Sequence, residues 1–593
     1  MGFERLRIRP HSLCCFLLAS LLPAAGAAAQ RPARRPSAGL FSPLGRPAAD
    51  EVVLHGHLRT MDARRPRAQA MAIWHGRILA VGSDAQIRPW IGPRTRIVNA
   101  HGRLVLPGFI DGHVHFFAGA YDLSSVDLRI TRSAAEFARK ICAYARTLPP
   151  GEWITGGNWD EQRWQPARWP TRWMIDGCTR RHPVYVNRYD GHMGLANSLA
   201  LKLAHISRAT PTPKGGVIVH DAQGRPTGIV KDAAQDLVAR VIPSPSLAER
   251  MRIARIGLRH AAALGVTTIQ SMDLSYPQAP RIYARLLARR ELTARFYVRQ
   301  PLALWRHWAA MGVRRGFGGP WITVGSMKAF ADGAIGSRTA YLFQPYRDNP
   351  PSNPNWRGLL APDAQPPAKL YRRILGADRA GLQVCVHAIG DAANHMVLDF
   401  FQKVERLDGS KDRRFRIEHA QHLIAADIPR FAQLHVIASV QPYHAIDDGR
   451  WVEKRIGYER AKTSYAYGSL MRHGARLAFG TDWPVAPLNP LYGIYAAVTR
   501  ATLDGKHPNG WFPRQKIPLA QAIYDYTMGS AYAGFEEKRL GSLTPGKDAD
   551  FIILDHNLFH IPPRQIWNVR VLATYVGGRQ VWRLGQYAVQ YSR

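Results

Sequence analysis

At 593 residues, 46% hydrophobic and 21% charged, the chain is too long for one simple domain and apolar enough to bury large cores, so two or three domains are expected. Its formal net charge is +37, yet the arginines are scattered and no basic run is interleaved with regularly spaced aromatics, which excludes a specific nucleic-acid binder. The charge reads instead as a solvated surface with nonspecific affinity for anionic envelope polymers or membranes.

The first residues look like an export signal. Arg5, Arg7 and Arg9 supply positive charge, residues 13–22 form an apolar core too short for a membrane anchor, and Ala27-Ala28-Ala29 offers small residues for cleavage. Residues 1–29 are therefore expected to be a cleavable signal peptide, with a periplasmic or secreted product; an uncleaved anchor is the alternative. Cys14 and Cys15 fall too early for a lipid-attachment cysteine. Past residue 30 no apolar run is long enough to span a bilayer. Only Cys142, Cys178 and Cys385 remain beyond the signal. They are too few for a disulfide framework, so the fold is expected to stand on its core. Residues 30–49, rich in Pro, Arg and Ala, read as a flexible spacer.

From Glu51 the pattern changes to short strands. Val52-Val53-Leu54 is followed by runs at 70–74 and 77–81 around the turn His75-Gly76. The other end mirrors this, with a strand at 551–554 and runs at 571–576 and 580–582 around Gly577-Gly578. Neither end has enough strands to bury a face alone. Residues 50–106 and 536–593 are therefore expected to pair into one small β-sandwich built from both termini.

Between them, 107–535, strands alternate with amphipathic helices. Strand-like runs cover 109–115, 266–270, 295–299, 324–330, 383–387, 415–419, 436–441 and 477–482. Eight strands separated by helix-length segments predict an α/β fold, a parallel (β/α)8 TIM-like barrel. The helix before the second strand illustrates the pattern: Ser246 and Glu249 suit a capping box, and Leu247, Met251, Ala254, Leu258 and Ala261 line one face. The long gap between the first two strands carries a tryptophan-rich insert at about 125–245. It reads as an inserted α/β lobe over the barrel mouth, with a separately folding partner-binding domain as the alternative.

In such a barrel, residues at the C-terminal ends of the strands converge. His113 and His115 in the first strand point to one side, because successive side chains alternate. Lys328 lies in the fourth strand among apolar neighbours, where a lysine beside a metal ionises at lowered pKa and takes up carbon dioxide. His387 ends the fifth strand, His419 the sixth and Asp482 the eighth. Singly, each histidine is better explained by core packing. Six metal-competent side chains at equivalent strand ends are not.

Leu106-Pro107-Gly108-Phe109-Ile110-Asp111-Gly112-His113-Val114-His115 resembles the opening motif of the metal-dependent amidohydrolases. Val386-His387-Ala388-Ile389-Gly390-Asp391, Glu418-His419-Ala420-Gln421, Gly480-Thr481-Asp482-Trp483-Pro484 and Leu543-Thr544-Pro545-Gly546-Lys547-Asp548-Ala549-Asp550 match later stretches of that family in order. The run from Lys328 through Asp332-Gly333 to Ser337-Arg338-Thr339-Ala340, with Asn158-Trp159-Asp160 and Gly191-His192-Met193-Gly194, resembles the amidohydrolase 3 branch, similar to N-substituted formamide deformylases. The resemblance covers roughly Glu51 to Trp582.

The resemblance implies a ligand set. His113, His115 and Asp482 would hold one divalent ion, and His387 and His419 a second, with carboxylated Lys328 bridging both; whether one ion or two is bound stays open. Imidazole and carboxylate ligands with an open position suit zinc. Asp482 would orient the attacking water, take its proton and pass it to the leaving nitrogen. Trp159, Asp160, His192, Asp332, Arg338 and Tyr443 are candidate substrate contacts; Tyr443 and His444 follow the seventh strand as candidate rim residues, and Trp483 is as well explained by packing as by stacking on substrate. The expected activity is exported, metal-dependent hydrolysis of non-peptide C–N bonds in a small-molecule amide or formamide. Esters, lactones or carbamates on the same site are the alternative, and a catalytically inactive envelope-binding protein is the rival of another class. The oligomeric state, including a homo-oligomer, stays open.

Overall fold

The computed structural model describes residues 48–585 except 189–192, 214–215, 233, 275 and 350. The signal-like segment 1–29, nearly all of the spacer and the last eight residues lie outside the described residues.

All eight runs read as barrel strands are strands: β1 (Phe109–Val114), β2 (Val266–Ser271), β3 (Arg295–Pro301), β4 (Ile322–Phe330), β5 (Gln383–Ala388), β6 (Arg416–His419), β7 (Ile437–Val440) and β8 (Leu477–Phe479). They pair in chain order, and each neighbouring pair is parallel. Helices cover their outer faces, which is why most of these strands are buried at every position rather than at alternate ones. The ring closes just past the end of β8. Asp482 N donates to His113 O at 2.7 Å, His115 N donates to Trp483 O at 2.9 Å, and Val114 and Trp483 form a parallel bridge. Two glycines permit that seam: a Cβ on Gly112 would stand 2.8 Å from Phe479 O, and one on Gly480 would stand 2.5 Å from His113 N.

The helix Leu247–Ala263 forms where its pattern predicts, with the Ser246 half of the expected capping box present. The Ser246 side chain accepts from Glu249 N, and Met251, Ala254, Leu258 and Ala261 are buried. Its apolar face joins Val266 and Ile269 of β2 in one core with Phe116, Phe296 and Trp483.

The termini meet in two sheets. One is made by the N-terminal part alone, in the order Arg77–Gly82, Ala70–Trp74, Glu51–Leu54, Arg96–Asn99. The other is shared between the two ends: Leu104–Pro107 pairs antiparallel with Phe551–Leu554, placing Val105 opposite Ile553. Val53, Met71, Ile73, Val105, Phe551 and Tyr575 fill the space between them. Because Leu104–Pro107 runs straight into β1, the sandwich anchors the strand that carries His113.

The insert has a five-stranded sheet of its own, ordered Gly216–His220, Pro226–Asp232, Met193–Ala196, Val184–Arg188, Ile154–Trp159. Cys142 and Cys178 are bonded, a single bridge and not a framework. The helix Ala134–Ala145 packs beside the short helix Trp173–Asp176, and this brings together two cysteines 36 positions apart. Cys385 is free and buried. Among the described residues, no helix is long and apolar enough to cross a membrane.

Candidate metal centre

His113, on β1, is fully buried, and His115 follows it one residue past the strand end on the same side. Asp482 lies just beyond β8 with its Oδ1 3.4 Å from His113 Nε2 and 3.3 Å from His115 Nε2. His419 ends β6, its ring 4.7 Å from that of His113 and 4.6 Å from that of His387 at the end of β5. His419 and Asp482 both adopt left-handed backbone, at φ 78° and 60°. Such conformations are costly for residues with a side chain and persist where the surroundings impose them.

One ligand atom from each of His113, His419 and Asp482 falls within 4.8 Å of the other two. His113 Nε2 and Asp482 Oδ1 are both buried, without a hydrogen-bond partner among the described residues. Burial, with Lys328 adding to it, pushes the His113 imidazole down to about 4 and that of His387 down to about 3. Burial likewise carries His419 well below its ordinary value, with His387 and His113 adding to it. All three are therefore neutral near pH 7 and present lone pairs. Burial opposes the charge on Asp482, but His113 and His115 outweigh it and hold the carboxyl far below the usual range. An anionic oxygen and neutral imidazoles, with orphaned atoms facing one another, fit a divalent cation.

Neighbouring side chains fix these ligands. His113 Nδ1 donates to Glu418 Oε2 at 2.7 Å, which leaves Nε2 as the coordinating atom. Glu418 is itself paired with Arg416, 2.9 Å away. Asp111 accepts from Thr481 N at 2.9 Å and from Thr481 Oγ1 at 2.6 Å, tying β1 to the loop that carries Asp482.

Lys328 is 1% exposed, and no ion pair to its Nζ is found among the described residues. Its Nζ lies 4.0 Å from Met272 Sδ and 4.8 Å from the centre of the Phe330 ring. Burial pulls it down to about 8, against the opposing pull of Glu418 and Asp482.

The candidate substrate contacts divide. Trp159 is corrected: it is fully buried, packs on Phe137 and Trp164 in the core of the insert, and donates from its indole to Val186 O. Asp160 lies 3.5 Å from Arg188. His192 falls outside the described residues. The Asp332 carboxylate accepts from the backbone N–H of Ile389, Gly390 and Tyr341, and its Oδ1 lies 3.6 Å from His387 Nε2. It thereby ties the loop after β4 to the turn after β5. Arg338 makes a two-pronged pair with Asp348 at 3.0 and 3.1 Å. Tyr443 stacks on Trp567, ring centres 6.2 Å apart.

Glu418, Gln441 and Asp111 were missed as functional side chains. A signal existed for Glu418: with Arg416 it occupies alternate positions on β6, and so one face.

The amidohydrolase family profile matches residues 96–582. The protein LONG AFTER FAR-RED 3 from Arabidopsis thaliana is 40% identical over 545 residues, spanning 90% of this chain and 92% of that protein. N-substituted formamide deformylase from Arthrobacter pascens is 27% identical over 89% of this chain and 97% of that protein. Among solved structures, a metal-dependent hydrolase of unassigned activity from Pyrococcus horikoshii superimposes with a TM-score of 0.71 at 28% identity, covering 87% of this chain and 99% of that one.

Proposed function

Because the chain belongs to the amidohydrolase family, in its amidohydrolase 3 branch, we propose that it is an exported hydrolase that cleaves a non-peptide C–N bond of amide or formamide type. The observation that carries this reading is the facing of two orphaned buried atoms, His113 Nε2 and Asp482 Oδ1, beside His419 at the barrel mouth. A relative named for removing the formyl group from N-substituted formamides supports the bond class.

His113, His419 and Asp482, with His115 and His387 beside them, would hold the ion, and zinc suits this set. Bound there, a divalent ion supplies Lewis-acid polarisation and lowers the pKa of water toward about 7. Asp482 orients the attacking water, accepts its proton and hands it to the nitrogen as the C–N bond breaks. Lys328, buried with a depressed pKa, would, once carboxylated, supply a further anionic oxygen to the site. Glu418 and Gln441 keep the imidazoles turned toward the ion. Export is supported by the arginines and apolar core of residues 1–29 and by the Cys142–Cys178 bond, a feature that persists in oxidising compartments.

The test is a hydrolysis screen of the zinc-loaded protein over matched formamides, amides, carbamates, esters and lactones. Zinc-dependent release of amine supports the reading. Turnover of esters or lactones alone moves the activity to another bond on the same site. Full zinc occupancy without turnover of any compound points to the inactive binding protein.

A further inference from the structure

The tautomer of each buried histidine at the mouth is set by what its other nitrogen touches, and one of the four differs in kind. His113 Nδ1 faces a carboxylate oxygen, and His419 Nδ1 faces Gln441 Oε1 at 2.9 Å. Gln441 is held in that orientation because its Nε2 donates to Ser439 O. Both rings therefore carry the proton on Nδ1 and keep Nε2 for a cation. His387 Nε2 donates to Gly333 O at 3.1 Å, leaving its Nδ1 lone pair. His444 is the reverse of His113 and His419. Its Nδ1 faces the amide nitrogen of Gln421 at 3.3 Å, and an amide nitrogen only donates. The Nδ1 lone pair is thus taken and the proton sits on Nε2.

That Nε2–H is buried and has no hydrogen-bond partner among the described residues. His444 stands in the first turn of the helix Pro442–Asp448, which starts directly after β7 and aims the ring into the mouth. Its Nε2 lies 4.0 Å from Asp482 Oδ2, whereas Asp482 Oδ1 faces His113 and His115. The carboxylate thus has the cation ligands on one oxygen and an unused hydrogen-bond donor beside the other. A buried donor without an acceptor is costly and is expected where a ligand supplies the acceptor.

We propose that His444 is a further catalytic residue of the hydrolysis put forward above, on which this inference rests, and that its Nε2–H donates to the acyl oxygen of the substrate. As water adds, the new C–O bond forms and the carbonyl π pair moves onto the acyl oxygen. The His444 N–H stabilises that charge while Asp482 holds the proton. When the pair returns to the carbonyl, the C–N bond breaks and the proton goes to the leaving nitrogen. His444 is not a ligand in this assignment, because the nitrogen that faces the site carries hydrogen. Gln421 is the positioning residue that sets the tautomer.

The experiment compares zinc-loaded wild type with His444→Phe, which keeps a ring without a donor, and His444→Gln, which keeps a donor. The expected result is unchanged zinc content in all three, a loss of kcat of roughly 10²–10³-fold in His444→Phe, the range seen when one oxyanion donor is removed, and a smaller loss in His444→Gln. Loss of zinc from a folded His444→Phe, or wild-type kcat in either variant, overturns the assignment. If His444→Phe fails to fold, His444→Gln decides: unchanged zinc with reduced kcat supports the role, and loss of zinc or full kcat overturns it. Wild type inactive over the whole screen overturns the proposed function itself. In that case calorimetric binding of methylphosphonate, a tetrahedral oxyanion, decides on His444: at least tenfold weaker binding in a folded variant supports the donor, and equal binding, or none to either protein, overturns it.

Discussion

Glu418 Oε2 accepts a hydrogen bond from His113 Nδ1 at 2.7 Å, between two fully buried side chains 305 positions apart in the chain. The bond selects the tautomer in which Nε2 coordinates and fixes the ring plane. Arg416 and His113 together overcome burial and hold Glu418 well below the usual carboxylate range, so this acceptor is permanently anionic. Glu418→Gln should weaken metal affinity about 10–100-fold, the range for loss of a partner behind a ligating histidine. Competition with a chelator, with circular dichroism to check folding, measures this directly, and unchanged affinity would remove Glu418 from the site.

Asp482→Asn tests the proton transfer. The amide keeps an oxygen toward the ion but accepts no proton, so the variant should hold metal while its kcat falls by roughly 10²–10⁴-fold, the typical weight of general acid–base catalysis. Metal content and turnover are read on the same preparation. Unchanged turnover would take Asp482 out of the mechanism.

The barrel was legible because parallel strands covered by helices are written as short apolar runs at helix-length intervals, and because strand ends in this fold converge. Hence His113, His387, His419 and Asp482 could be gathered from separate strands. The supporting shell was harder to read. Gln421 and Gln441 are chemically identical in the chain, and only their orientation in the fold makes one an amide donor and the other an oxygen acceptor. Trp159 was misread because a tryptophan beside Asp160 suits a binding loop as well as a lobe core. The Cys142–Cys178 bond was illegible because a spacing along the chain carries no distance. The sharing of one sandwich sheet by both ends followed from neither end having enough strands, but its strand order did not.

Glu51 offers a stability measurement far from the metal centre. It begins the first sandwich strand, is 3% exposed, and is pushed up to about 7 by burial despite its ion pair with Arg96, whose side chain is half exposed. A carboxyl raised in the folded state binds more protons there than in the unfolded chain between about pH 4.5 and 7. Its contribution is therefore present at low pH and is lost as pH rises through 7. Glu51→Gln, uncharged throughout, should match wild type near pH 4.5 and exceed it at pH 8 by on the order of 2 kcal/mol. Melting temperatures of the two proteins across that interval give the answer, and a gap that does not widen with pH would show that Arg96 neutralises Glu51.

Lys328 carries the most specific chemical claim. Carboxylation joins Nζ to the carbon of CO2 and releases a proton, so it needs the neutral amine. An ordinary lysine offers almost none at neutral pH, but burial has pulled this one down to about 8, and the neutral fraction climbs steeply between pH 7 and 9. Metal-free protein stripped of CO2 should therefore regain zinc more completely when bicarbonate is added, with the gain rising over that interval. Lys328→Ala should bind less metal at every pH, without response to bicarbonate, and short carboxylic acids should restore part of it by placing a carboxylate in the vacated space. Zinc content by atomic spectrometry reads each arm. Full occupancy in Lys328→Ala would mean that the histidines and Asp482 suffice, and Lys328 would then be a buried amine that shapes the site's charge without touching the ion.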